Sequence, residues 1–224
     1  MPATHLVFDV NETLLDMSAL DPVFADLFGD EHSRQEWFLT LLYWSTVTTL
    51  TARFRDFTEL AGDCLDQLAA QRDVALAADQ RDRVFDTIAT LAPHADVRPA
   101  LERLRGAGFS LTALTNSAQS TVDAQFANAG LTELFHRVLS VEDARCYKPH
   151  PSAYAVATRA LETPVESLRL LACHSWDVTG ALRAGLQAAF VGRAHQALNA
   201  AGERPDIVGD GLAEVAEQII VADS

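Results

Sequence analysis

The rhythm of hydrophobic and polar positions changes twice along this chain. The run Leu6-Val7-Phe8 is short and continuously apolar, which reads as a buried strand, and Asp9 marks its end. Residues 17–92 then follow a helical period. Val23, Phe24, Leu27 and Phe28 recur at three- and four-residue intervals. So do Trp37, Phe38, Leu41 and Leu42, then Phe57, Leu60, Ala61, Leu65 and Leu68, then Val84, Phe85 and Ile88. Each set is one face of a helix, so about four helices and no strand are expected here.

From residue 96 the two periods alternate. Helices are expected over Pro99–Gly106, Gln119–Ala129, Pro151–Leu161, Thr179–Ala184 and Leu212–Ile220. Strands are expected over Phe109–Leu114, Val138–Ser140, Leu168–Cys173, Ala188–Val191 and Ile207–Val208. Such alternation builds βαβ units, hence an α/β fold with a Rossmann-like parallel sheet and helices on both faces. The expected division is an α/β core of residues 1–16 and 93–224, with residues 17–92 inserted as a helical cap over the strand ends.

Composition narrows the partners. A formal charge of −14 over 224 residues argues against nucleic acid and anionic membranes, which need a basic surface. An anionic substrate must then be held by local cations. No apolar run approaches the ~20 residues of a membrane span. The N-terminus, Met1-Pro2-Ala3-Thr4-His5, carries no cationic stretch followed by an apolar core, so a cytoplasmic protein is expected. Cys64, Cys146 and Cys173 are widely spaced and not in metal-like pairs, which suggests free thiols in a reducing compartment.

In an open α/β sheet, ligands bind beyond the carboxyl ends of the strands. Four segments with chemical potential fall there. They are Asp9 with Thr13; Thr115-Asn116-Ser117; Tyr147-Lys148-Pro149; and His174-Ser175-Trp176-Asp177-Val178-Thr179-Gly180. Singly, each has a plain account: Asp9 or Asp177 as a turn or helix cap, Thr115-Asn116 as a turn, Lys148 as a solvated cation, His174 as a half-buried ring. Their order along one α/β chain is harder to reach by accident.

That order resembles the haloacid dehalogenase superfamily along essentially the whole chain. Within it, the chain is most similar to the L-2-haloacid dehalogenases (type II), whose fourth motif, Ala-Trp-Asp-Ala-Thr-Gly-Ala, is matched by Ser175-Trp176-Asp177-Val178-Thr179-Gly180-Ala181. Arg34-Gln35 leads the second cap helix, where that family carries a halide-facing arginine, and Tyr154 follows Lys148 as a family active-site tyrosine does. Phosphatases of the superfamily use Asp-x-Asp, the second Asp protonating the leaving alcohol. Here that position is Asn11, and the fourth motif offers Asp177 alone as a carboxylate for a hard cation such as Mg²⁺. A departing halide needs neither a proton nor a metal.

The resemblance implies an (S)-2-haloacid dehalogenase that needs no metal or other cofactor. It acts on short 2-haloalkanoic acids, with inversion, through an ester on Asp9, and forms a homodimer. Lys148 would keep Asp9 ionised, Arg34 would face the halide, and Thr115 and Asn116 would hold the substrate carboxylate. Thr13 would bond the Asp9 loop, Tyr154 would line the substrate, and Phe38, Tyr43 and Trp44 are candidates for an apolar wall. Two departures stand out. Asn11-Glu12-Thr13 replaces the family's Tyr-Gly-Thr, and Cys173-His174 replaces Ser-Asn before the fourth motif. The fold would bring Glu12 and His174 together, and a variant branch of the family resembles this chain in carrying such a pair. Either that pair or Asp177 would activate the hydrolytic water. The competing readings are a small-molecule phosphatase of the same superfamily and a non-catalytic protein that keeps only the fold.

Overall fold

The computed structural model describes residues 3–223, so Met1 and Pro2 of the leader reading lie outside the described residues. Its centre is a six-stranded parallel sheet. The strands are β1 (His5–Phe8), β2 (Ser110–Thr115), β3 (Arg137–Ser140), β4 (Leu168–Ala172), β5 (Gln187–Val191) and β6 (Ile207–Gly209), in the order β3-β2-β1-β4-β5-β6. Leu6, Val7 and Phe8 are fully buried, as the continuous apolar run requires of a central strand covered on both faces. The chain leaves β1 toward β2 on one side and reaches β4 on the other. The strand order therefore reverses beside the end of β1, which is where such sheets bind ligands.

The segment after β1 forms α1 (Asp21–Phe28), α2 (Ser33–Leu50), α3 (Phe57–Gln71) and α4 (Ala78–Ala89) before the chain returns in α5 (Val97–Gly106). The Asp56 side chain accepts from the Thr58 and Glu59 amides and starts α3. The outgoing and returning segments are zipped together: the Asp16 amide donates to Ala92 O at 2.9 Å and the His94 amide to Leu14 O at 3.0 Å. On α2, Trp37, Phe38 and Leu41 face inward, whereas Tyr43 is 64% exposed and Trp44 40% exposed. Those two residues fall on the outer side of the helical period, so only Phe38 of the three wall candidates faces the core.

The remaining helices are α6 (Gln119–Ala129), α7 (Pro151–Leu161), α8 (Ser175–Arg183) and α9 (Leu212–Asp223). Helix α8 begins four residues before its expected start at Thr179. Its first turn is polar because it faces the site, so the apolar period emerges only later. Strand β4 hides a charge: Arg169, 1% exposed, donates to Asp206 at 2.6 Å and Asp223 at 2.9 Å and so ties α9 to the sheet.

Candidate active site

Asp9 follows β1, Thr115 ends β2, and His174 follows β4 as the residue before α8, so three neighbouring strands deliver the expected groups to one point. The Lys148 ammonium donates to Asp9 Oδ1 at 2.8 Å and to Asp177 Oδ2 at 2.6 Å, with all three residues buried. The Thr13 hydroxyl donates to Asp9 Oδ2 at 2.6 Å. Burial alone would raise the Asp9 pKa, but the Lys148 cation and His174 hold the carboxyl well below the usual range, so Asp9 is an anion at neutral pH.

Glu12 and His174 do meet: His174 Nε2 lies 2.8 Å from Glu12 Oε2, and His174 Nδ1 lies 3.3 Å from Asp9 Oδ2. A carboxylate oxygen only accepts, so both ring nitrogens are donors and the ring is an imidazolium. The energetics agree. Burial opposes the charge, yet the Cys173 sulfur and the Asp9 and Glu12 carboxylates raise the His174 pKa well above its ordinary value. Glu12 in turn is held below the usual range against its own burial by His174 and Arg34. Its backbone has φ +63°, the left-handed region, at the position where the family pattern has glycine.

Arg34 sits within reach of the site, but it is already engaged, with Nη1 2.9 Å from Glu12 Oε1 and Nε 2.5 Å from Asp21 Oδ1. Gln196 adds a bond to Glu12 Oε2 at 2.9 Å. Glu12, Arg34, His174, Trp176 and Gln196 border a crevice of about 220 Å³. Asn116 Oδ1 accepts from the Lys148 amide at 3.0 Å, while its side-chain nitrogen is buried without a hydrogen-bond partner. That idle donor is open to an acceptor oxygen from a ligand. The Thr115 hydroxyl accepts from the Ser117 amide at 3.1 Å and keeps its proton free to donate.

Tyr154, the expected active-site tyrosine, is fully buried, and its hydroxyl donates to Asp177 Oδ1 at 2.6 Å, so it stands behind Asp177. Asp177 lies inside the first turn of α8, which rules out the plain cap reading. Both its oxygens are occupied, by Lys148 and by Tyr154. Asp9, Cys173 and His174 offer donor atoms within 4.8 Å of one another, the metal-like trio among the described residues. This trio mixes sulfur and nitrogen with one oxygen and does not suit Mg²⁺, which prefers an all-oxygen set.

Several functional neighbours escaped sequence reasoning. Gln196 and Asp21 lie far from any motif. The sequence shows Tyr147 only as part of the lysine segment, yet its ring lies 5.1 Å from that of Phe54 and 5.4 Å from that of Phe57, between centroids. Its amide donates to Thr49 Oγ1 at 3.0 Å, and its hydroxyl bonds the Arg55 carbonyl.

A six-stranded parallel sheet with an insertion after β1 and this buried Asp–Lys pair define a class of hydrolase. Residues 3–168 match the model of the haloacid dehalogenase-like hydrolases, and the chain belongs to that family. It is 31% identical to an (S)-2-haloacid dehalogenase of Xanthobacter autotrophicus, over 85% of this chain and 76% of the relative. It is 29% identical to (S)-2-haloacid dehalogenase 2 of Pseudomonas sp. (strain CBS-3), over 94% of this chain and 93% of the relative. The solved L-2-haloacid dehalogenase of Xanthobacter autotrophicus superposes with a TM-score of 0.90 at 24% identity, covering 97% of this chain and 98% of the other.

Proposed function

We propose that this chain is an (S)-2-haloacid dehalogenase that releases halide from 2-haloalkanoic acids and yields the inverted 2-hydroxy acids. The observation that carries the reading is Asn11. In a phosphatase of this fold the second acid beyond the nucleophile donates a proton to the leaving group. Here Asn11 is an amide bonded to Ser117 and Gln125, and no acid stands in its place. Position 11 thus holds no carboxylic acid to protonate a leaving alcohol, which suits a group that departs as an anion, as a halide does.

Asp9 Oδ2 or Oδ1 attacks C2, the carbon–halogen bond breaks, and an ester forms on Asp9. The Lys148 cation keeps the nucleophile ionised, and the Asn116 amide and Thr115 hydroxyl take the substrate carboxylate. Arg34 receives the halide once it shifts from Glu12. Water then attacks the ester carbonyl. For the base in that step, the occupied oxygens of Asp177 favour the Glu12–His174 pair: Nδ1 faces Asp9, and Nε2–H is held by Glu12. The helical insertion, residues 17–92, acts as a cap on a core of residues 1–16 and 93–224, and no metal takes part. The protein is cytoplasmic and acts as a homodimer.

The test is halide release from (S)-2-chloropropanoate with chiral analysis of the product. The expected product is (R)-lactate, formed equally well in EDTA, with no release by Asp9→Asn. Retained configuration, or activity that needs added Mg²⁺, would sink the scheme.

A further inference from the structure

Phe38 separates two spaces beside the nucleophile. On one side lies the polar crevice of Glu12, Arg34 and His174. On the other lies a cavity of about 260 Å³ between the inserted helices and α6. Trp37, Phe38, Leu41, Phe57, Phe85 and Ile88 form its walls. Asn11 and Ser117 also border it, two residues past Asp9 and one past Asn116. Asn11 Nδ2 donates to the Ser117 hydroxyl at 3.1 Å, and Gln125 Nε2 donates to Asn11 Oδ1 at 3.2 Å. Those bonds occupy the Asn11 amide, whereas Gln125 Oε1 behind it is buried without a partner; the walls that face the space are mainly hydrocarbon.

The geometry of C2 says what would enter. Of its substituents, the carboxylate belongs with Asn116 and the halide with Arg34. Of the walls that remain, Asn11, Ser117 and Phe38 are the ones that also border the cavity. A haloacetate or a methyl group fills little of the space there. An apolar cavity of about 150 Å³ already takes a benzene ring.

We infer that this cavity holds the C2 side chain of the substrate and makes the protein selective for 2-haloacids with a long or phenyl-bearing tail over the short ones. The inference rests on the dehalogenase reading and adds the substrate class. Each buried methylene is worth about four-fold in the transition state. Three more methylenes, from (S)-2-bromopropanoate to (S)-2-bromohexanoate, therefore give about 60-fold in kcat/KM.

The experiment compares kcat/KM for those two substrates by bromide release. A hexanoate-to-propanoate ratio above ten is expected. Ala89→Phe and Ala124→Phe put a ring into the cavity from α4 and α6, on half-buried and exposed positions that tolerate substitution. In either variant, with folding checked by circular dichroism, the ratio should fall toward one. Bromide released from propanoate with a wild-type ratio of one or less overturns the tail site and leaves the dehalogenase reading standing. A high ratio that neither variant lowers also overturns it. Release from neither substrate overturns both readings.

Discussion

His174 is held as an imidazolium by two carboxylates, and alkylation removes one of them. Once Asp9 is an ester, its negative charge is gone and the His174 pKa falls; the ring gives its Nδ1 proton to solvent, and Nδ1 of the neutral ring can then take a proton from the attacking water. The rate of ester hydrolysis in single turnover should therefore rise with pH and level off once the ring is neutral. His174→Ala should still be alkylated but hydrolyse the ester about 10²–10⁴-fold more slowly, so that the adduct builds up in intact-mass spectra. Normal turnover in that variant would return the base role to Asp177. The same raised pKa acts on stability in the opposite sense: its contribution is complete below the ordinary value of 6.5 and is lost as pH climbs through the folded-state value. Glu12 carries a separate load, since a side chain at φ +63° is strained. Glu12→Gly should be more stable than Glu12→Ala by about 1 kcal/mol in thermal melts, because only glycine relieves that backbone. Both variants should hydrolyse the ester slowly.

At the scale of elements, α8 is the piece the chemistry depends on most. Gly180 packs against the Tyr154 hydroxyl and against Pro149, whose Cβ would lie 2.5 Å from an added methyl. Gly180→Ala should therefore destabilise the fold by about 1–3 kcal/mol, as overpacking does, and displace the Tyr154–Asp177–Lys148 chain. A melt and a kcat measurement check both effects, and an unchanged kcat would show that the chain tolerates the shift. Helices α6 and α7 were legible in the sequence to the residue, because an apolar period with Gly130 at one end and Pro151 at one start leaves little freedom. The start of α8 was not, since Ser175 and Asp177 in its first turn answer to the site and not to the core. Of the site, Asp9, Lys148, Glu12 and His174 could be read because they lie in strand-end motifs. Asp21, Gln196 and Tyr147 could not, because the tertiary fold alone makes them neighbours. Arg169 was equally hidden, its charge being satisfied by residues distant in the chain.

For the whole molecule, the outer face of α2 is unusual. Leu39 is 66% exposed and Leu50 79% exposed, with Tyr43 beside them. A monomer rarely leaves large side chains so grouped in water. The expected homodimer should cover this face and sediment at twice 24.3 kDa, and Leu39→Glu combined with Tyr43→Glu should shift it to the monomer mass. A dimer unmoved by those changes would place the interface elsewhere. The aromatic grip on Tyr147 bears on the nucleophile. The inserted helices hold the residue next to Lys148 by its ring, its amide and its hydroxyl. The backbone that carries the countercharge of Asp9 is therefore fastened to the inserted helices, so the charge state of the nucleophile depends on a part of the chain that never touches it.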